Sequence, residues 1–420
     1  MKSVIRLKAL VILLIVQCVA YGAEWGRFRG PNGTGAITGK TLPVEFDESS
    51  SNWSVVVPGK GNSSPVIGGE NVYLTSAIVD KESKSGARTL HAFALEDGKL
   101  QWSVAAAFAT YKTNNRNGFA SSSVCADENG VYVFWQAEQG SSLTAYDHDG
   151  ELRWNYDVGK FGAGTGAGTS PVVHKGVILL SHDNEKFESF LLAVNASNGK
   201  RKWQVVRKTQ RTGYATPVIF EPSSGETQVV FSHSYEGMVG VSYETGEIIW
   251  QNVVFGEHNQ RAVGSPIVIG DQVIAASGFT NGIRTLVSVK PDYVSDSHEA
   301  QVHFKTTRNV PHCPTPLALD GKLYCWTDRG ILACLDLSDG SQKWLTRVGG
   351  EFFASPIAVN DRILAIDRNG TMVVITGGDQ YKELGRSELE DGVMATPALT
   401  KDAVFVRTEN RLIRFDLSSE

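Results

Sequence analysis

Long apolar runs are nearly absent from this sequence. One extends from Ala9 to Val16, and no later stretch is long and apolar enough to span a bilayer. A basic excess is absent too: 40 Lys and Arg stand against 45 Asp and Glu, for a net charge of −5. That balance supplies no electrostatic footprint for nucleic acid. Helical periodicity is hard to find, which speaks against a helical bundle. Cysteine is scarce, five in 420 residues with no two adjacent.

The beginning of the chain reads as an address. Lys2, Arg6 and Lys8 precede the apolar run, and Ala20, Gly22 and Ala23 follow it. This predicts a secretory signal over residues 1–23, cleaved between Ala20 and Glu24. Gln17 sits before Cys18 where lipid attachment wants a small residue, so lipidation is not expected. The leader carries only positive charge, so its loss leaves the mature chain more acidic. The expected product is exported to the periplasm or cell envelope, without a transmembrane span after cleavage.

What the sequence has in abundance is glycine, 43 residues, and a repeat. A small residue, then Ser or Thr, then Pro, then an aliphatic run recurs at intervals of 40 to 58 residues. The copies are Ser63-Ser64-Pro65, Thr169-Ser170-Pro171, Ala215-Thr216-Pro217, Gly264-Ser265-Pro266, Pro314-Thr315-Pro316, Ala354-Ser355-Pro356 and Ala395-Thr396-Pro397. An eighth, Ser121-Ser122-Ser123-Val124, lacks the proline. The interval is that of a propeller blade. Within each unit a short turn leads to a second apolar run, then a polar loop and a third strand. An Asp-Gly type turn such as Glu96-Asp97-Gly98 follows, supplying the positive φ of a tight hairpin. A fourth strand carries Trp102, Trp154, Trp203, Trp250 or Trp344, with Phe304 and Leu384 in its place in two units.

Four antiparallel strands cannot bury both faces alone, and radial packing about an axis solves this. The predicted fold is therefore all-β, a single eight-bladed propeller over residues 52–420, preceded by an extension, residues 24–51, that packs across the disc. The unit beginning at Ala395 has only three strands. The segment Asn52-Trp53-Ser54-Val55-Val56-Val57 carries the expected Trp and should supply the fourth. The mature chain is expected to be monomeric.

The Ala/Leu-x-Asp-x-x-x-Gly-x-x-x-Trp pattern, seen from Ala145 to Trp154 and from Cys334 to Trp344, resembles the pyrroloquinoline-quinone (PQQ)-like propeller repeat. Within that superfamily the chain is similar to the outer-membrane assembly scaffold proteins. The resemblance implies a protein-binding scaffold with envelope proteins as partners and no cofactor. The quinoprotein dehydrogenases of the superfamily carry adjacent cysteines against PQQ, a Ca²⁺ site and a catalytic Asp. This chain has no adjacent cysteines, and the other residues match no positions in it. A PQQ-dependent or degenerate oxidoreductase is the first alternative. A carbohydrate- or small-ligand-binding propeller, anchored by exposed aromatics, is the second.

Strand alternation puts the short A–B and C–D turns on one face and the longer B–C and D–A loops on the other. Loops on a rigid scaffold are where recognition concentrates. The candidate binding residues on that second face are Lys60, Arg116, Tyr214, His258, Arg261, His312, Glu351 and Phe352. No catalytic or metal-ligating set emerges. Gly162 to Ala167 matches a dinucleotide glycine pattern but joins two blades with no helix after it. His298 and His303 are one residue too far apart for a helical zinc pair. Cys325 and Cys334 flank the Arg329-Gly330 turn symmetrically, and an exported compartment permits a disulfide there, although buried strand cysteines are more often free thiols.

Ring closure by the front of the chain makes a prediction. Deleting residues 24–57 should lower the melting temperature of the whole ring; an unchanged melting temperature in the truncated chain contradicts it.

Overall fold

Each Ser/Thr-Pro step starts a blade. Proline lacks an N–H and holds the residue before it extended, so the chain enters a short innermost strand directly. The computed structural model describes residues 25–256, 261–278 and 282–418. In it eight innermost strands, among them Val66–Gly68, Val172–His174 and Ile357–Val359, each lead outward into a four-stranded antiparallel sheet. The fold is the expected all-β, eight-bladed propeller, and two single-turn 3₁₀ segments are the only helices among the described residues. The predicted leader, with Cys18, lies outside the described residues.

The hydroxyl residue before each proline also links the blades. In seven of the eight blades its backbone N–H donates to the hydroxyl of the matching residue in the next blade, and among the described residues the one step without such a bond is from Ser170 to Thr216. Ser64 bonds Ser123 at 2.8 Å, and Ser123 bonds Ser170 at 3.0 Å. Thr216 bonds Ser265 and Ser265 bonds Thr315, both at 3.0 Å. Thr315 bonds Ser355 and Ser355 bonds Thr396, both at 2.9 Å. Thr396 then bonds Ser64 at 3.0 Å, joining the last blade to the first. These residues are buried, so each bond satisfies an amide that water does not reach.

The outer strands are locked differently. Trp102 Nε1 donates to the carbonyl of His148 in the next blade at 2.8 Å, Trp154 to Ala196 at 2.8 Å and Trp203 to Tyr243 at 3.0 Å. The ring of each lies on the glycine of that neighbour's C–D turn. A Cβ at Gly150, Gly199 or Gly246 would come within 2.8 Å of the indole. The Trp and the Gly of the repeat are thus one contact made between blades. Trp250 departs from this pattern. The C–D hairpin of the next blade has no glycine at its tip, and Trp250 turns back over Gly240 to bond Gln228 at 2.7 Å.

The front of the chain closes the ring as predicted. Trp53–Val56 pairs antiparallel with Arg411–Asp416 and completes the eighth blade. Before it, Ala36–Ile37 adds a parallel strand to the inner edge of Ile357–Val359. Leu42 and Phe46 then bury themselves among residues of the last two blades, with Phe46 edge-on to Phe415 at 5.2 Å. The buried Arg407 of the eighth blade reaches into the first, donating to the Ser63 carbonyl at 2.9 Å.

The cysteine expectation needs correction. Cys334 pairs with Tyr324 and Cys325 with Ala333, so the two thiols sit at staggered positions and face opposite sides of the sheet. A register one residue off the symmetric pairing is enough to flip a side chain to the other face. All four described cysteines are free thiols.

Two predictions come from these contacts. Replacing Ser355 by Ala leaves the buried Thr315 N–H without an acceptor and should cost about 1–3 kcal/mol in urea unfolding; an unchanged midpoint would contradict a structural ring. Burial lowers the pKa of His91 to about 4, and also lowers those of His174, His182, His233 and His312. These side chains stay neutral in the fold but take up protons on unfolding below about pH 6.5. Stability should therefore fall as pH drops from about 6.5 towards 4, and a melting temperature that rises over this interval contradicts the assignment.

Candidate functional site: an axial cup

The segment Trp25–Ile37 stops the central opening on the A–B turn face. The Trp25 carbonyl accepts from Ile67 N–H at 3.0 Å, and the Gly26 carbonyl from Ala126 N–H at 2.7 Å. Asn32 bonds Ile219 on another blade, and the Gly35 carbonyl accepts from Ala358 N–H at 2.8 Å. Two buried arginines anchor the plug to the prolines of the repeat. Arg27 donates to the Pro217 carbonyl at 2.6 Å, and Arg29 to those of Pro356 and Pro316 at 2.9 and 3.1 Å. Neither guanidinium has a carboxylate partner among the described residues. Desolvation lowers their pKa values to about 10 and about 9, so both remain charged at neutral pH.

Phe28 lies between these arginines in the chain and lines the cavity above them. That cavity is a cup of about 310 Å³ on the axis, open towards the B–C and D–A loops. Its wall includes ring hydroxyls such as Ser64, Ser170, Thr315 and Thr396. Higher up come Arg116, Tyr214, Arg261, His312 and Phe353.

The charges around the cup are mostly compensated. Arg261 Nη2 meets Glu185 at 2.7 Å, Arg284 meets Asp328 at 3.0 Å, and Arg116 meets Glu351 at 3.5 Å. Burial opposes ionisation of Glu185, but bonds from Gly164 N–H and Arg261 hold its pKa below the ordinary value. Arg116 is the most open of the three cations, with 39% of its side chain exposed, and its guanidinium lies 5.2 Å from the Phe353 ring centre. Tyr214 is held by its hydroxyl, which donates to the Gly166 carbonyl at 3.1 Å and lies 2.5 Å from Thr165 Oγ1.

His312, Cys313 and Asp328 bring their ligand atoms within 4.8 Å of one another. Their bonding is that of a loop clasp. Asp328 accepts the backbone N–H groups of His312 and Cys313, both at 3.0 Å, as well as Arg284. Burial pushes the Cys313 thiol pKa well up, and the adjacent guanidinium opposes a cation.

The structure thus gathers Arg116, Tyr214, Arg261 and His312 at one cup. Glu351 stands at the rim, shared between Arg116 and Arg368. Lys60 lies outside it, in a side groove, bonded to Asn410 at 2.5 Å. His258 lies outside the described residues. Phe352 does not reach the face: it is 1% exposed and packs on Trp326 at 5.3 Å. Its neighbour Phe353 takes the place expected of it, since consecutive residues of an extended segment point to opposite sides. Phe28 and the hydroxyl ring were missed because their place at the axis depends on contacts between distant repeats. The glycine stretch from Gly162 contributes Thr165 and Gly168 to the cup wall.

Comparison with known proteins agrees with this architecture. The family model described as "Outer membrane protein assembly factor BamB" matches residues 86–346. The proteins of that name from Moranella endobia (strain PCIT) and Yersinia pestis are each 24% identical, over 70% and 68% of this chain. The match spans 61% and 60% of those relatives' own length, about three fifths. Among solved structures, BamB from Moraxella catarrhalis superposes with a TM-score of 0.62 at 11% identity, covering 87% of this chain and 99% of that one. Quinohemoprotein alcohol dehydrogenase from Comamonas testosteroni gives 0.66 at 11% identity, covering 94% and 81%. A europium-containing methanol dehydrogenase gives 0.64 at 11% identity, covering 93% and 98%. At such identity the structural likenesses establish the propeller alone, but the family match takes in more than half of the sequence: the chain belongs to the outer membrane protein assembly factor BamB family, with its PQQ-like propeller.

Proposed function

We propose that this protein is an exported scaffold of the cell envelope that binds a partner of the outer-membrane assembly machinery through its B–C and D–A loop face. The observation that carries this reading is the one-sided axis. The plug closes one face through buried backbone bonds, while the other presents a cup rimmed by Arg116, Tyr214 and Phe353. Arg and Tyr are favoured anchors at protein interfaces, and an Arg held over an aromatic ring is pre-positioned for one.

The described residues around the cup do not fit the quinone alternative. The described acidic groups nearest the cup are already engaged: Glu185 by Arg261, Glu351 by Arg116 and Arg368, Asp328 by Arg284 and two amides. None is left to hold Ca²⁺ as the dehydrogenases of the superfamily do. Cys313, the cysteine at the cup, stands between His312 and Pro314 and has no cysteine neighbour.

Pull-down from envelope extracts tests the scaffold reading. The wild-type chain should retain assembly-machinery proteins, and Arg116→Glu and Phe353→Ala should each reduce capture at least fivefold at an unchanged melting temperature. Asp339→Arg, on the opposite face, should capture as well as wild type. Equal capture by the rim variants, or loss confined to Asp339→Arg, would contradict the assignment.

A further inference from the structure

We propose that the outer edge of the first blade, Leu100–Ala109, docks an extended, uncharged strand of a partner chain by adding it to the sheet. This goes beyond the cup reading, since it uses another surface and either can fail without the other.

Every propeller blade ends in an outer strand with one row of unpaired N–H and C=O groups, a template for unwanted pairing. Seven of the eight outer strands here are blunted. Leu152–Gly159 carries Arg153 and Asp157, and Arg201–Arg207 carries Arg201 and Lys202. Ala300–Thr306 has Lys305, and Gln342–Arg347 has Lys343 and Arg347. Ile248–Asn252 is covered by the neighbouring hairpin, whose His298 carbonyl accepts from Gln251 N–H at 2.9 Å. Glu383–Glu388 is charged and crossed by the N-terminal extension, where Phe46 N–H bonds Ser387 at 2.8 Å. Trp53–Val56 is only four residues long.

Leu100–Ala109 has none of these protections. It runs for ten residues, Leu-Gln-Trp-Ser-Val-Ala-Ala-Ala-Phe-Ala, without a charge, a proline or a glycine. Among the described residues its backbone pairs only with Ser85–Ala94. One face is anchored: Trp102, Val104 and Ala106 are half-buried and Phe108 is buried. The other is exposed and flat, with Ser103, Ala105 and Ala107. A long, unprotected, apolar edge is the arrangement used for strand addition, where main-chain bonds supply the affinity.

The occupant's chemistry follows from the strand itself. Ten residues without an ionisable group offer nothing to compensate a charge, so the incoming segment is uncharged. The small exposed side chains leave room for β-branched ones opposite. The segment is continuous with the loop face. The first blade's strands outrun those of the next, ten residues against six in Gly130–Trp135, and bring Ile78 and Val79 into a groove with Lys60 and Arg116. Ile78 is 61% exposed there. Ala107 on the edge lies in one row with Ala87 and Ile78, so the edge stands two strands from that groove.

The test uses the full chain and a defined probe: a capped peptide alternating valine and threonine over ten residues, with one lysine at each end. Saturating peptide should slow amide hydrogen exchange in residues 100–109 at least tenfold. The double variant Ala105→Lys/Ala107→Lys should weaken binding at least tenfold, while Val206→Lys, on another outer edge, should not. Unaltered exchange at 100–109, or protection confined to other blades, would overturn the proposal whether or not the variant folds. A concentration-dependent dimer in sedimentation, abolished by the double variant, would also overturn it by making a second copy the occupant.

Discussion

The structure depends on an arc of backbone amides bonded to hydroxyl groups, which runs from Thr216 through every blade to Ser170. A propeller brings eight innermost strands close to an axis, where neighbouring strands diverge too quickly to continue one sheet. Seven of the eight Ser and Thr residues meet this constraint with a single bond each, from the N–H of one blade to the hydroxyl of the next. Proline next to them keeps the strand start extended and leaves its carbonyl free. Two buried arginines use those carbonyls to fasten the N-terminal plug. The repeat motif is thus at once a strand start, a link between blades and a docking point for the plug.

From this arrangement the two faces acquire different roles. Short A–B turns and the plug share one face, where the buried guanidiniums of Arg27 and Arg29 are met by backbone carbonyls. Longer loops share the other, and their ion pairs brace them around an open cup. The rim arginines pair with acids supplied by other blades, Arg261 with Glu185 and Arg116 with Glu351. These pairs therefore hold loops of separate blades in a fixed relation. Arg116 keeps more of its side chain exposed than Arg261, 39% against 17%.

Much of the fold was legible in the sequence because a propeller repeats its local grammar. The Ser/Thr-Pro steps counted the blades correctly even where Val124 replaces proline, and Trp53 marked the strand that closes the ring. What escaped were facts set by contacts between repeats. Trp250 follows the pattern yet lacks a glycine to rest on, so it folds inward. Cys325 and Cys334 look opposed when counted from the turn, and a one-residue register offset separates them. Of the loop residues, Arg116, Tyr214, Arg261 and His312 line the cup, Lys60 lies in a side groove, and Phe353, not Phe352, faces the cup. Trp25 to Pro31 could be seen to matter from its aromatic and arginine content, but that the segment fills the axis is a property of the assembled ring.

The most direct test of the account is amide hydrogen exchange at the seven ring donors, Ser64, Ser123, Thr216, Ser265, Thr315, Ser355 and Thr396. If the arc is continuous across the seam and cooperative, all seven exchange together, at the rate of global unfolding. Fast exchange at Thr396 and Ser64 while the others stay protected would show a ring open at the seam, and would contradict the account.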